Sequence, residues 1–377
     1  MLAAVVAVVA ATAVYTNTET VAAVAEQDGA LVVTTTGGVE RYDLATLTRT
    51  AVTMAPPPAA APLAVAPRYQ GARETVRVTT SIGTVVGTAG NGVWLDGPAP
   101  RRLTPTGQIC GNHVVAVTAW QGHTWVATFD RGVCFLDGDR WVTPATDFRM
   151  ANDLAVTKRG LVVAASEGLY LSTDGVTFAR WPGIVDTGWN DLAVVGNELY
   201  ATIPGALWRL PLGPGGRRAR TRWKLGGARA LQAVAGTKAG LWVTSEDRGV
   251  LEVGPKDVAI HDRVSGLPTS WHIDVAIIGA QPWVATLRHG LVRRRADGTW
   301  QQVPGLEQAW LLFVGGDRAG TGAWVGAQGG VYHVDAAGTV TQPAVALPDA
   351  NVHVVVEDRA GVWIGTEGGL VRAPAHP

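Results

Sequence analysis

The chain has 377 residues with 31 basic and 31 acidic side chains, so its formal charge is zero. That balance argues against nucleic acid and against an anionic membrane as partners. Only 16% of residues are charged and 47% are hydrophobic, with 47 glycines and 21 prolines, a composition that excludes a disordered chain and a coiled coil.

Leu2 to Val14 is an apolar run too short to span a bilayer. Two readings of it stand. Its length and the small residues Ala11-Thr12-Ala13 suit an export signal, although no Lys or Arg precedes it. Ala11 to Thr16 also carries β-formers and suits a strand. Residues 1–10 are therefore set apart as an export leader or its remnant, and 11–377 are read as one folded unit. Pro56-Pro-Pro-Ala-Ala-Ala-Pro62 marks residues 55–72 as a surface insertion. Cys110 and Cys134 are the only cysteines; one disulfide or two buried thiols both fit, and no zinc spacing surrounds them.

A repeat runs through the chain: an apolar strand, a glycine turn, then Gly-Val or Gly-Leu opening the next strand. Its turn glycines are residues 38, 92, 132, 168, 205, 249, 290, 330 and 369, spaced about 41 residues apart, the length of a four-stranded propeller blade. Within a repeat the strands are labelled a to d. Asp-Gly pairs at residues 96–97, 137–138, 174–175 and 297–298 suit c–d hairpins, because both central residues need positive φ. Trp recurs at one strand-b position (125, 242, 283, 324 and 363), where one indole per blade fills the space between sheets. The expected fold is all-β: a single β-propeller of four-stranded blades. Repeat count gives nine blades, and seven or eight also fit. The ninth repeat lacks strand d, so the N-terminal strand is expected to pair there and close the ring.

Leu347-Pro-Asp-Ala-Asn-Val-His-Val-Val-Val-Glu-Asp-Arg-Ala-Gly-Val-Trp-Ile-Gly-Thr-Glu-Gly-Gly-Leu370 and Gly266-Leu-Pro-Thr-Ser270 resemble the two-component regulator propeller repeat, most strongly in the last third of the chain. The resemblance implies a sensor-type β-propeller of a bacterial signalling protein, periplasmic or extracellular, with a cytoplasmic location also open. The family usually has seven blades. Ser172-Thr-Asp-Gly-Val-Thr-Phe178 looks like a shortened sialidase-type Asp-box and is read as turn chemistry.

No nucleophile elbow, zincin motif or phosphate loop is present. No metal, cofactor or catalytic residue is expected. Asp137 and Asp139 are read as a turn, and Arg217 to Lys224 as a charged, solvated edge. The candidates for ligand binding lie just before each strand a: Asn112, His113, Asn152, Asp153, Trp189, Asn190, Asp191, Trp271, His272, Trp310, Asn351 and His353. Aromatics, amides and imidazoles suit a small polar ligand, a glycan or a protein partner. The a–b turns, alike in each repeat, suit geometry instead. The expected function is non-enzymatic recognition by a monomer that reaches a membrane only through an anchor outside this sequence. A carbohydrate-active lyase or glycosidase on the same face, with Asp153, Asp191, His113, His272 and His353 as its acids and bases, is the alternative; a scaffold is another.

Overall fold

A computed structural model describes residues 8–9, 13–53, 69, 72–184, 187–213, 221–223, 225 and 227–374. Readings of residues 1–7, most of the 55–72 insertion and Arg217 to Arg220 lie outside these. The described secondary structure is all β, and among the described residues no helix is long and apolar enough to cross a membrane.

Nine four-stranded antiparallel sheets follow one another, here numbered I to IX. Their inner strands are Val21–Gln27, Glu74–Thr80, Val114–Trp120, Ala151–Thr157, Leu192–Val195, Leu231–Thr237, His272–Ile278, Leu311–Gly316 and Val352–Asp358. Sheet IX takes its fourth strand from the N-terminal region: Ala13, Val14 and Tyr15 pair with Arg372, Val371 and Leu370. Ahead of it, Val8–Val9 pairs in parallel with Ala344–Val345.

The nine repeats are nine sheets, but not one ring of nine. Inner strands contact their successors from sheet III to sheet IX, and the inner strand of IX then contacts that of III. Burial explains the choice. Val354, Trp363 and Leu370 of sheet IX share a core with Val114, Val126 and Cys134 of sheet III. Tyr15 stacks on Trp363 at 6.0 Å and meets Trp141 of sheet III edge-on at 5.3 Å. Gly365 has no room for a side chain, because Val114 and Val354 already occupy the space. Seven sheets therefore close on one another. Sheets I and II form a separate pair around Val21, Leu31, Val33, Tyr42, Val85 and Val93. Tyr69, inside the stretch read as a surface insertion, is fully buried against Val86 and Trp94 of that pair.

The five strand-b tryptophans are all buried, and the clusters they join span adjacent sheets, as with Trp125 against Leu154 and Trp283 against Val314. Of the four Asp-Gly turns, glycines 138, 175 and 298 have positive φ and Gly97 does not, and none of the four aspartates does, so these hairpins do not use the turn with two positive-φ residues that the pattern suggested.

Cys110 and Cys134 are bonded, with their Cα atoms 5.8 Å apart, inside the 4.4–6.8 Å range a disulfide needs. Their separation of 24 residues implies a contribution of about 3 kcal/mol. Replacing both by Ala should lower the urea midpoint accordingly, and adding reductant should do the same to the parent. Equal midpoints would show that the bond adds no stability.

Candidate ligand-binding face

Antiparallel strands put the d–a connections and b–c turns at one end of each sheet and the a–b and c–d turns at the other. Six of the nine b–c turns share one device: a Thr or Ser ending strand b donates its hydroxyl to the carbonyl of the turn glycine. Thr128–Gly132, Ser245–Gly249, Thr286–Gly290 and Thr366–Gly369 make this bond at 2.8–3.1 Å. Gly290 has φ +70° and lies against the Leu306 carbonyl, where a Cβ would collide. Short, locked turns leave the d–a connections to differ from sheet to sheet.

Trp271 and Trp310 are 40% and 37% exposed. They come from the d–a connections into sheets VII and VIII, and the Arg288 guanidinium from a b–c turn lies 4.4 Å from the Trp310 ring centre, a cation–π contact. Beside Trp271, His272 is fully buried. Neither of its ring nitrogens meets a hydrogen-bond partner of normal geometry among the described residues. Burial drives its pKa down to about 4, with the Ser270 backbone opposing and His289 adding to the fall. It is a neutral imidazole.

Other candidates serve the framework. Trp189 is fully buried in a cluster with Leu192 and Leu199, its ring 5.8 Å from Trp208, so it is core and offers no surface to a ligand. Asn112 is a buried clip: it accepts from the Asn17 amide at 2.6 Å and donates to the Asn17 carbonyl at 2.9 Å. Asn152 donates to the Trp189 carbonyl at 2.7 Å, and Asn190 donates to the Leu231 carbonyl at 2.6 Å.

Asp153 and Asp191 likewise bridge sheets, accepting from the backbone N–H groups of Leu192 (2.9 Å) and Val234 (2.6 Å). Asp274, not among the residues expected at the site, accepts in the same way from Val314 at 2.8 Å and from its neighbour Val275 at 2.7 Å. Its signal was present: Ile273-Asp274-Val275 stands at the repeat position of Asn152-Asp153-Leu154 and Asn190-Asp191-Leu192. All three carboxyl groups are pushed up, mainly by burial, Asp274 to about 7 with Asp191 adding repulsion. Asp153 and Asp191 interact directly through a side-chain hydrogen bond and hold a proton more tightly than a free carboxyl does.

At the junction of sheets III and IX the structure brings together two predicted histidines and a glutamate not predicted. The His113 and His353 rings are 4.6 Å apart, and His353 Nε2 lies 3.1 Å from Glu367 Oε1. One ligand atom from each of the three lies within 4.8 Å of the others. Burial and the neighbouring His353 lower the pKa of His113. Burial would raise that of Glu367, but hydrogen bonds to Asn351 and His353 outweigh it and keep the group low. Asn351 thereby supports Glu367. A glutamate in a b–c turn cannot be recognised from spacing, since His113 is remote in sequence.

The opposite end is not plain. Grooves of about 500 and 350 Å³ open there beside sheet VII, sharing Gln281, Arg294, Arg295 and Ala296. Arg293 lines the first and stacks on Trp283 at 5.3 Å.

No protein-family model matches the sequence, and no curated protein matches it. Solved structures do resemble it in fold. Virginiamycin B lyase from Staphylococcus aureus, solved as an inactive His-to-Ala variant with quinupristin, superposes with TM-score 0.58 at 12% identity, over 70% of this chain and 95% of that one. The extracellular domain of a putative hybrid two-component system from B. thetaiotaomicron gives TM-score 0.59 at 13% identity, over 93% of this chain. This protein spans about half of that domain, 51%. A surface component of the type-IX secretion system of Porphyromonas gingivalis gives TM-score 0.60 at 14% identity, over 94% and 62% of the two chains. At such identities the likeness is one of fold. The two-component domain among these structures agrees with the propeller-repeat resemblance.

Proposed function

We propose that this protein is a non-enzymatic recognition module, a propeller that binds a small polar ligand, a glycan or a protein segment at the end formed by the d–a connections. The observation that carries the reading is the pair of solvent-facing indoles, Trp271 and Trp310, the second already stacked with Arg288. Exposed, rigid aromatics bury much area on binding for few frozen torsions. The likeness to extracellular domains of two-component systems supports a sensor role outside the cytoplasm, and a disulfide suits such a compartment. Propellers also host enzymes, a lyase among those similar to this chain. The acids that a glycosidase or sugar lyase would use here, Asp153 and Asp191, are engaged in backbone bonds between sheets, which favours binding over catalysis.

A second reading rests on the grooves at the other end, where Arg293, Arg294 and Arg295 suit an anionic ligand. One experiment separates the two. Arrays of oligosaccharides and short peptides are probed with the full chain, and the hits titrated against Trp271→Ala/Trp310→Ala and Arg293→Ala/Arg295→Ala. The tryptophan pair should lose at least about 2 kcal/mol of binding, and the arginine pair little. Loss confined to the arginine pair would move the site to the grooves.

A further inference from the structure

We propose that His113, His353 and Glu367 form a transition-metal site that ties sheet III to sheet IX, the junction where the seven-sheet ring closes. The three donors converge although 240 residues separate the two histidines, and one ligand atom from each falls within 4.8 Å of the other two. Closing such a triangle onto one ion requires only small rotations of side chains. Two imidazoles and one carboxylate suit zinc and its transition-series neighbours, while magnesium and calcium prefer oxygen donors.

The backbone around each ligand is fixed independently. His113 follows Asn112, clipped to Asn17, and the Cys110–Cys134 bond anchors the same segment. Its carbonyl accepts from the Phe129 amide at 2.8 Å. His353 lies in the inner strand of sheet IX. Glu367 sits in the Thr366-capped b–c turn, where its own amide donates to the Asn351 carbonyl at 3.2 Å. Supporting groups of this kind set the direction of metal ligands. Three protein donors leave a position for water or a ligand group, so the site opens onto the same end as Trp271 and Trp310. Among the described residues, His261 with Glu252 and His333 with Asp317 bring together only two potential metal donors each, and serve as internal controls.

The test uses the full chain after chelator treatment. Zinc is titrated by calorimetry, and Tm is followed in parallel. One equivalent of zinc should bind and raise Tm until the site is filled, while magnesium should do neither. Cobalt(II) bound in place of zinc should give visible bands of a low-coordinate nitrogen–oxygen site. Glu367→Gln and His353→Asn should each weaken zinc by at least about tenfold, and His333→Asn should leave it unchanged. Glu367 is in an exposed turn, so its variant keeps the test valid even where a histidine variant fails to fold. Absence of saturable zinc binding would overturn the proposal, as would binding that survives Glu367→Gln undiminished or is lost in His333→Asn.

Discussion

Trp363→Ala should lower the unfolding free energy by about 3–5 kcal/mol, the cost of truncating a fully packed indole. Trp363 is 2% exposed and lies where sheet IX meets sheet III, against Val114 and Val126. Urea melts would read the loss. The more decisive measurement is a double-mutant cycle with Val114→Ala. Residues in contact couple by about 0.5–3 kcal/mol, whereas distant ones add. In a nine-sheet ring sheets I and II would stand between these two side chains, and the cycle would show simple additivity. A coupling energy near zero would therefore contradict the closure of the ring between sheets III and IX.

The second large effect is one of pH. A carboxyl group whose folded pKa lies above its unfolded value binds protons more readily when folded, so its contribution to stability declines as pH rises between the two values. For Asp274 that window runs from the ordinary carboxyl range, near about 4, to about 7 in the folded protein. Asp153 and Asp191 act in the same direction. His272, lowered to about 4, and His113, also lowered, act oppositely, since their stabilisation is present above about 6.5 and lost as pH falls. The informative quantity is thus the difference between parent and Asp274→Asn. The amide cannot reproduce both backbone bonds, which adds a constant penalty at every pH. On top of it, the variant should gain about 2–4 kcal/mol relative to the parent between pH 4 and pH 8. Denaturant melts at both pH values give that difference. A penalty independent of pH would mean that Asp274 titrates normally.

Much of this fold could be read from residues. The spacing of turn glycines, seen in every repeat, the Asp-Gly turns of four sheets and the strand-b Trp of five are local features. The missing strand d of the ninth repeat correctly pointed to Ala13–Tyr15. Ring size was less legible, because a repeat specifies its own sheet and says little about which sheet lies two or six places away. A partial signal existed: the strand-b position that holds Trp in sheets III, VI, VII, VIII and IX holds Val32 and Val85 in sheets I and II. Sheets IV and V, with Val162 and Tyr200 there, weaken it. The candidate site divided along similar lines. Exposed Trp271 and Trp310 and buried Trp189 occupy related places in the chain, and only packing distinguishes them. Asp153 and Asp191 looked like free acids because backbone amides on a neighbouring sheet leave no mark in sequence. Glu367 and Arg288 belong to b–c turns, and their companions become visible only when separate sheets converge.

The paired sheets I and II leave the ring and return to it at nearly one point. Asn17, at their start, donates from its side chain to the carbonyls of Ile109 and Cys110, just beyond their end, at 2.7 and 3.1 Å. Thr18 and Gln108 add bonds of 2.7–3.0 Å between the same two segments. An insertion whose two ends touch can be lengthened, exchanged for another or lost without altering the path of the surrounding chain. The seven-sheet ring is thus a chassis with one attachment port, and descendants of such a gene could acquire different appendages there while inheriting an unchanged core.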